Sequence, residues 1–370
     1  MCHLIYTDTF YMKRKWIRWV SWILLTPIIL FVILMVLLYV PPVQNLLRRE
    51  VTAYASKATG MQIQVERIDL RFPLNLLVRG VEVIQQPDTL LSLESLNVRV
   101  QAWPLIKGKV EVDEVTLSRV AVNSADLMEG MKIKGVLGRF FLQSHGVDLS
   151  NELAVINQVE LSDTHVQLLM NDTTTTPKDT TASAPINWKV ALHQLKLKNV
   201  SFSMQLPADS MRMTAHIGEA AIDDAQADLK NQYYDLKKFL LSGTSVSYDT
   251  GTAQPAEGFD ASHIAVRDIR IALDSLLYKG RDMNAVIREF TMNERSGLSV
   301  TSLTGRAYSN DSVICVPGLK LNTPHSEIDL SAHTYWELVN IPTTGRLSAR
   351  LNAYIGKEDV MLFAGGLPGS

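Results

Sequence analysis

The chain has 370 residues, of which 46% are hydrophobic and 20% are charged, and its formal net charge is -2. This balance is typical of a folded protein and excludes a wholly disordered chain. The lack of a basic excess argues against nucleic acid as a partner. Cys2 and Cys315 stand on opposite sides of the apolar segment described next, so no disulfide is expected between them.

An uncharged segment follows a basic cluster near the N-terminus. Residues 19–40 read WVSWILLTPIILFVILMVLLYV, and at about 1.5 Å per residue they reach about 33 Å, enough for a bilayer core of about 30 Å. The basic sequence KRKWIR at 13–18 precedes them, and such clusters stay in the cytoplasm. We therefore expect a single-pass membrane anchor, with residues 1–18 cytoplasmic and the body outside the cytoplasm. A cleaved signal peptide is the alternative, but the apolar run is longer than the core of a signal peptide.

A short amphipathic helix is predicted at 41–60. Gly60 marks its end. Its apolar face could pack against the rest of the protein, which is the commoner arrangement, or lie on the membrane surface. The apolar positions recur mostly at spacings of three and four, and they are Val43, Leu46, Leu47, Val51, Tyr54 and Ala58.

From residue 61 onward the period of the pattern changes to two. One motif returns: apolar, x, apolar, two further residues, then apolar, x, apolar. Weaker copies begin at Val159 and Leu298. The clear copies are IQVERIDLRF at 63–72, LSLESLNVRV at 91–100, VEVDEVTLSRVAV at 110–122, LKLKNVSFSM at 195–204 and IAVRDIRIAL at 264–273.

The two-residue slip in this motif has a structural consequence. Side chains of a strand alternate between faces, so one extra residue would turn the second half of the strand inside out. A β-bulge, in which two residues of one strand oppose one on its neighbour, keeps both apolar halves on one face and bends the strand. A tight turn at each slip is the alternative, but the usual Asn-Gly or Asp-Gly chemistry is missing.

The predicted fold is therefore mainly β: a transmembrane helix and a short amphipathic helix, followed by an elongated, curved, bulged antiparallel sheet that forms a hydrophobic groove. The segment 171–185 is rich in threonine and is expected to be a loop. It separates a first groove segment at 61–170 from a continuing one at 186–370. A second loop is expected at 251–258.

The sequence offers no catalytic candidate. It contains no GxSxG, GxGxxG, P-loop, HExxH or CxxC motif, and its histidines lack metal-ligand spacing. We expect no enzyme activity, no cofactor and no metal.

The apolar strand positions are the candidate functional residues. An open apolar face of this size has to be covered by a second layer, a partner or lipid acyl chains, and a second layer is the commonest of these. If the face is open, we expect these side chains to contact lipid: Ile63, Val65, Ile68, Leu70, Leu91, Leu93, Leu96, Val98, Val110, Val112, Val115, Leu117, Val120 and Val122.

The order of elements, with PLIKGKVEVDEVTLSRVAV at 104–122, resembles the N-terminal part of the AsmA/TamB family of bacterial envelope proteins, which are likened to bridge-like lipid transfer proteins. Two stretches between residues 296 and 332, SGLSVTSLTGRAYS and TPHSEIDLSA, look like the versions found in Bacteroidota. The resemblance implies that the anchor lies in the inner (plasma) membrane and the body in the periplasm. It also implies that membrane phospholipid moves along the groove toward the outer membrane, in cell envelope biogenesis.

The same resemblance implies an alternative, a translocation and assembly module that assembles outer-membrane proteins together with a barrel partner of the TamA type. Members of the TamB type are much longer and end in a characteristic C-terminal domain. We therefore expect the chain to be a fragment, truncated at its C-terminal end.

Overall fold

In the computed structural model of the chain, the described residues begin at 39. Nearly all of the predicted anchor at 19–40 therefore lies outside them. The predicted loop at 171–185 also lies outside them. No helix within the described ranges is long and apolar enough to cross a bilayer. The described residues are 39–72, 74–101, 103–104, 111–124, 130–148, 151–170, 187–340 and 345–364.

Strands dominate the described part of the chain. The helices there are α1 (Pro41–Thr59), α2 (Trp336–Asn340) and α3 (Lys357–Ala364), with a 3-10 turn at Pro207–Asp209. The strands are β1 (Gln62–Arg71), β2 (Asn75–Gln85), β3 (Asp88–Val100), β4 (Val112–Asn123), β5 (Met131–Asp148), β6 (Leu153–Met170), β7 (Lys189–Leu206), β8 (Met211–Asp228), β9 (Tyr233–Asp249), β10 (His263–Lys279), β11 (Asp282–Glu294), β12 (Ser299–Val300), β13 (Ser302–Ser309), β14 (Val313–Asn322), β15 (Glu327–Tyr335) and β16 (Leu347–Tyr354).

The sixteen strands of the described ranges form one long curved sheet in chain order, with β12 paired only to β11. The mainly β fold predicted from the sequence is therefore confirmed. The expectation of a wholly antiparallel sheet is wrong at one place, because β6 and β7 run parallel. Alternation within a strand reports which face a side chain occupies, but it carries no information about the direction of the next strand.

Helix α1 occupies the predicted segment. Gly60 ends it in a left-handed conformation, with φ of 70°, and its N–H donates to the carbonyl oxygen of Ser56 over 3.0 Å. Leu46, Val51 and Tyr54 are exposed. The expectation that the apolar face of this helix packs against the protein is therefore wrong for these three side chains.

Each strand from β1 to β9 has one extra residue, the slip of its motif, at the same level in the sheet. The residues at this level form a line across β1 to β9, which we call the crease. Paired residues on both sides of the crease keep one register, as where Val65 pairs with Val81 and Arg67 pairs with Arg79. The crease consists of Glu66, Gly80, Glu94, Arg119, Gly138, Asp163, Asn199, Gly218 and Gly243.

The crease corrects the predicted bulge. Two residues opposing one would shift the register between neighbouring strands, and no shift occurs at the crease from β1 to β9. Because every strand carries its extra residue at the same level, one extra residue faces another. Register shifts of the predicted kind do occur at the slip at Asp113 and Glu114, where β4 pairs with β3, and also where β10 pairs with β9 and with β11.

The backbone changes conformation at the crease. Gly80, Arg119, Asp163, Asn199 and Gly243 have φ between 47° and 59°, a conformation open to glycine, asparagine and aspartate at low cost. Exposure changes phase at the same line, since adjacent residues are both exposed at 66–67 in β1 and at 198–199 in β7. This phase change is what two apolar halves on one face require.

Gly138 tests the crease. A Cβ built on it would lie 2.7 Å from the Cβ and 2.9 Å from the carbonyl oxygen of Asp163. We expect Gly138→Ala to lower the free energy of unfolding by about 2 kcal/mol, as overpacking does. Gly318→Ala is the control, because a Cβ there meets no atom within 4 Å. Urea unfolding of the full chain in detergent, followed by circular dichroism, measures both, and an equal loss in the two variants would contradict the crease.

The loop between β9 and β10 includes the predicted loop 251–258 and is organised by Asp260. Its carboxylate accepts hydrogen bonds from the backbone N–H of Ala256 over 3.0 Å and of Ser262 over 2.9 Å. The Nδ1 atom of the buried His263 lies 2.9 Å away. These three contacts, the Ala256 bond most of all, lower the pKa of Asp260 from 3.8 to about 2.

This lowered pKa predicts the acid sensitivity of the loop. A carboxylate whose pKa is depressed by folding stabilises the fold fully above its unfolded value near 3.8, and the contribution is lost as the pH falls toward 2. We expect Asp260→Asn to lose part of this pH dependence between pH 4 and pH 2, measured by urea unfolding across that range. Glu257→Gln, at an exposed residue of the same loop, should keep the full dependence.

Candidate functional site

One uninterrupted line of apolar side chains crosses the whole sheet. Each member pairs directly with the next, on fifteen successive strands, and the single member without a side chain is Gly305. At about 4.8 Å per strand the line is about 65 Å long. We call it row 1, and its members are Leu70, Leu76, Val98, Val115, Leu142, Val159, Leu195, Ile222, Phe239, Leu273, Ile287, Gly305, Leu319, Leu330 and Leu351.

A second apolar line, row 2, runs beside row 1 on the same face. Its members lie two residues away along the strands of β1 to β10, so the side chains of both rows point the same way. It ends at Phe290 in β11. The members of row 2 are Ile68, Val78, Leu96, Leu117, Phe140, Leu161, Leu197, Ala220, Leu241, Ile271 and Phe290.

Two shorter lines lie beyond the crease. Row 3 is Val65, Val81, Leu93, Val120, Leu137, Thr164, Val200 and Ile217, and row 4 begins with Ile63, Val83, Leu91 and Val122. Thr164 is the polar member of row 3, and its hydroxyl donates to the carbonyl oxygen of Ser162 over 3.2 Å. The crease thus divides two apolar bands.

The structure brings together most of the residues predicted from the sequence. Val112 pairs with Val100 one step beyond row 1, and Val110 lies outside the described residues. The others fall into the four rows, three in each: Leu70, Val98 and Val115 in row 1; Ile68, Leu96 and Leu117 in row 2; Val65, Leu93 and Val120 in row 3; Ile63, Leu91 and Val122 in row 4.

The opposite face of the sheet is polar where row 1 is apolar. Each strand from β1 to β9 places a polar residue directly next to its row 1 member, and these residues also pair strand to strand. Two of the pairs are closed by an Arg99 to Glu114 contact of 3.2 Å and a Gln194 to Asp223 hydrogen bond of 3.4 Å. This outer row is Arg71, Asn75, Arg99, Glu114, Gln143, Gln158, Gln194, Asp223 and Lys238.

Within the described residues, row 1 is only partly shielded from solvent. Every member of row 1 from Leu70 to Leu330 is half-buried, and Leu351 is exposed. Among the described residues no large side chain is fully buried, and the apolar core consists of Ile68, Leu90, Leu93, Ala154, Ala220, Ala272 and Val300. Because the described strands form a single sheet, a second layer does not cover this face within that part of the chain.

The histidines of β7 and β8 make separate local contacts. His193 contacts Asp224 over 3.0 Å, and His216 contacts the hydroxyl of Ser201 over 3.0 Å on a neighbouring strand. Each contact gives one ring nitrogen a hydrogen-bond partner. The arrangement that the described residues do bring together is a long apolar surface, which can hold apolar chains by burial but offers them no polar group.

Sequence reasoning missed the rows' members on several strands. In β2 and β5 the slip falls on Gly80 and Gly138, and in NLLVRGVEV and GVLGRFFL these glycines stand where the motif has polar residues. Leu319, Leu330 and Leu351 were missed because β14 to β16 carry only short apolar runs. A search that allows glycine at the slip would have found β2 and β5.

Comparison of the sequence with protein-family models and with curated proteins finds no match. The fold and the site define a class of architecture all the same: a curved sheet of sixteen strands, within the described ranges, with one long apolar face.

The openness of this face predicts how substitutions behave. Leu195 lies in the middle of row 1 and is half-buried, whereas Leu93 is buried. We expect Leu195→Asn to lower the free energy of unfolding by about 1 kcal/mol and Leu93→Asn by about 3 kcal/mol, because cost follows burial. Urea unfolding of both variants measures the difference. A cost at Leu195 as large as at Leu93 would mean that the face is covered.

Proposed function

We propose that the chain is an inner-membrane-anchored periplasmic protein that conducts phospholipid along a hydrophobic groove toward the outer membrane, as the resemblance to the AsmA/TamB family implies. Row 1 is the observation that carries the proposal. An apolar line about 65 Å long, half-buried as far as Leu330 and uninterrupted by any polar side chain, supports a role in moving acyl chains.

The uniformity of row 1 favours conduction over storage. A binding pocket holds its ligand through a few placed polar groups within an apolar wall. Row 1 instead repeats leucine, valine, isoleucine and phenylalanine from strand to strand. An acyl chain that advances by one strand exchanges one apolar contact for an equivalent one, so no single position retains it.

The position of row 1 relative to the predicted anchor supports the same role. The segment 19–40 leads directly into α1, and α1 lies beside β1, where row 1 begins at Leu70. An anchored chain therefore has one end of its apolar face next to the membrane that would supply lipid. The headgroup would stay at the edge of the groove, since charged groups are costly to bury without partners.

One observation favours the alternative, assembly of outer-membrane proteins with a barrel partner. Strand β16 ends the sheet, and all eight of its residues are exposed. An edge strand of this kind can pair with a strand of another protein. Deletion of the chain would then reduce outer-membrane barrel proteins and leave phospholipid transport unchanged.

Photo-crosslinking at matched positions tests the proposed function. Leu142 and Leu195 belong to row 1, and Gln143 and Gln194 are their neighbours on the opposite face. A photoreactive amino acid at Leu142 or Leu195 should capture phospholipid in cells, and at Gln143 or Gln194 it should not. Mass spectrometry of the adducts identifies the lipid. Equal capture at both members of a pair would contradict an apolar conduit.

A charge placed in the row extends this test to transport. Leu195→Lys should stop pulse-labelled phospholipid from reaching the outer membrane, because an acyl chain would have to displace water from the ammonium group. Gln194→Lys adds the same charge on the other face, opposite Asp223, and should leave transport intact.

A further inference from the structure

The polar side of α1 covers the open edge of β1. The Nε2 atom of Gln44 donates to the carbonyl oxygen of Leu70 over 3.0 Å, and Nη1 of Arg48 donates to that of Glu66 over 2.8 Å. A third bond, 3.1 Å long, runs from the backbone N–H of Ile63 to Oγ of Ser56. These polar residues recur at spacings of four and eight, so one side of the helix satisfies the edge of the sheet.

The apolar side of α1 is left pointing away. Tyr54 is 77% exposed, Leu46 is 56% exposed and Val51 is 47% exposed. A surface helix of a globular protein normally turns such residues toward the core. Here the outward side carries exposed apolar residues, Leu46, Val51 and Tyr54, which we call the α1 arc; the exposed Glu50 and Lys57 lie among them.

Aromatic side chains extend this surface at the end of the sheet where α1 begins. Phe72, in the turn after β1, is 85% exposed, and its ring lies 6.5 Å from that of Tyr39 in an edge-on arrangement. Trp103, which follows β3, is 68% exposed. It lies at the same end, because the N–H of Val100 donates to the carbonyl oxygen of Leu74 over 3.0 Å. Exposed aromatic residues of this kind favour the membrane–water interface.

The charge of α1 fits the same partner. The helix carries Arg48, Arg49 and Lys57 against the single acid Glu50, so its net charge is +2. Basic residues beside an apolar arc are typical of helices that lie on anionic bilayers. The uncharged segment 19–40 ends directly before the helix, which would hold the helix at the surface.

We infer that α1 docks on the bilayer surface, with the α1 arc inserted among the lipid headgroups and the sheet standing away from the membrane. The inference rests on the membrane anchor in the proposed function. Gln44 lies beside Leu70 and Ser56 beside Ile63, so α1 runs along β1. The rows run perpendicular to the strands. If α1 lies in the plane of the membrane, row 1 therefore extends away from the bilayer, beginning at β1.

Fluorescence quenching in the full chain tests this placement. Cys2 and Cys315 are replaced by serine, and a polarity-sensitive fluorophore is attached at Leu46→Cys or Tyr54→Cys. The chain is reconstituted in nanodiscs of phosphatidylethanolamine and phosphatidylglycerol that contain a lipid with a quencher near its headgroup. We expect several-fold stronger quenching at both positions than at Gln158→Cys, which lies in β6 on the outer row.

A paired substitution separates docking from mere proximity. Val51→Asn together with Tyr54→Asn should reduce the quenching of the label at residue 46 toward the level at 158. Asn45→Gln, an exposed polar change on the same helix, should leave it unchanged. Circular dichroism confirms that each variant is folded.

The outcomes distinguish this inference from the proposed function. Labels that stay in water while phospholipid still crosslinks at Leu142 would overturn docking and leave conduction standing. Quenched labels with no lipid crosslinked at Leu142 would support docking and overturn conduction. Shielding of the labels from water that depends on protein concentration and persists in lipid-free detergent, with no quenching by the labelled lipid in nanodiscs, would show that a second copy of the chain covers the α1 arc and would also overturn docking.

Discussion

The apolar face depends on one constraint: neighbouring strands place their extra residue at the same level. A slip displaced by one residue in a single strand would send its second half to the wrong face and interrupt every row beyond the crease. Backbone hydrogen bonds on both sides hold one register through β9. Side chains reinforce it along the crease, since Asn199 donates to Asp163 over 2.8 Å and Arg119 pairs with Glu94.

The sheet also shows how a fold can persist with little conventional core. Its apolar side chains are shielded by cross-strand neighbours within rows, which contribute modestly for each pair but recur on every strand. The parallel pairing of β6 and β7 leaves this scheme intact, because Val159 still meets Leu195 and Leu161 still meets Leu197. Side-chain alternation does not depend on strand direction, so the rows continue across the parallel pair.

Much of the fold was predictable because periodicity reports local geometry. The motif placed Ile68, Leu96 and Leu117 on one face, and all three are members of row 2. The crease was not predictable from one strand, since whether Ser118 and Arg119 oppose one residue or two depends on the neighbouring strand. The side of α1 that meets the sheet was missed for a related reason. Burial usually decides how a helix packs, but the edge of β1 presented unpaired backbone groups, and Gln44 and Arg48 satisfy them.

A featureless apolar row sets limits on selectivity in the proposed function. Discrimination between ligands requires contacts that differ between them, and row 1 offers every acyl chain the same hydrocarbon surface. Chain length and unsaturation would therefore be weakly distinguished along the row. Any choice of lipid would be made where polar groups can meet a headgroup, at the bilayer where α1 lies or at a partner beyond β16. The same uniformity makes direction a property of the two ends, because equal contacts along a row favour neither way.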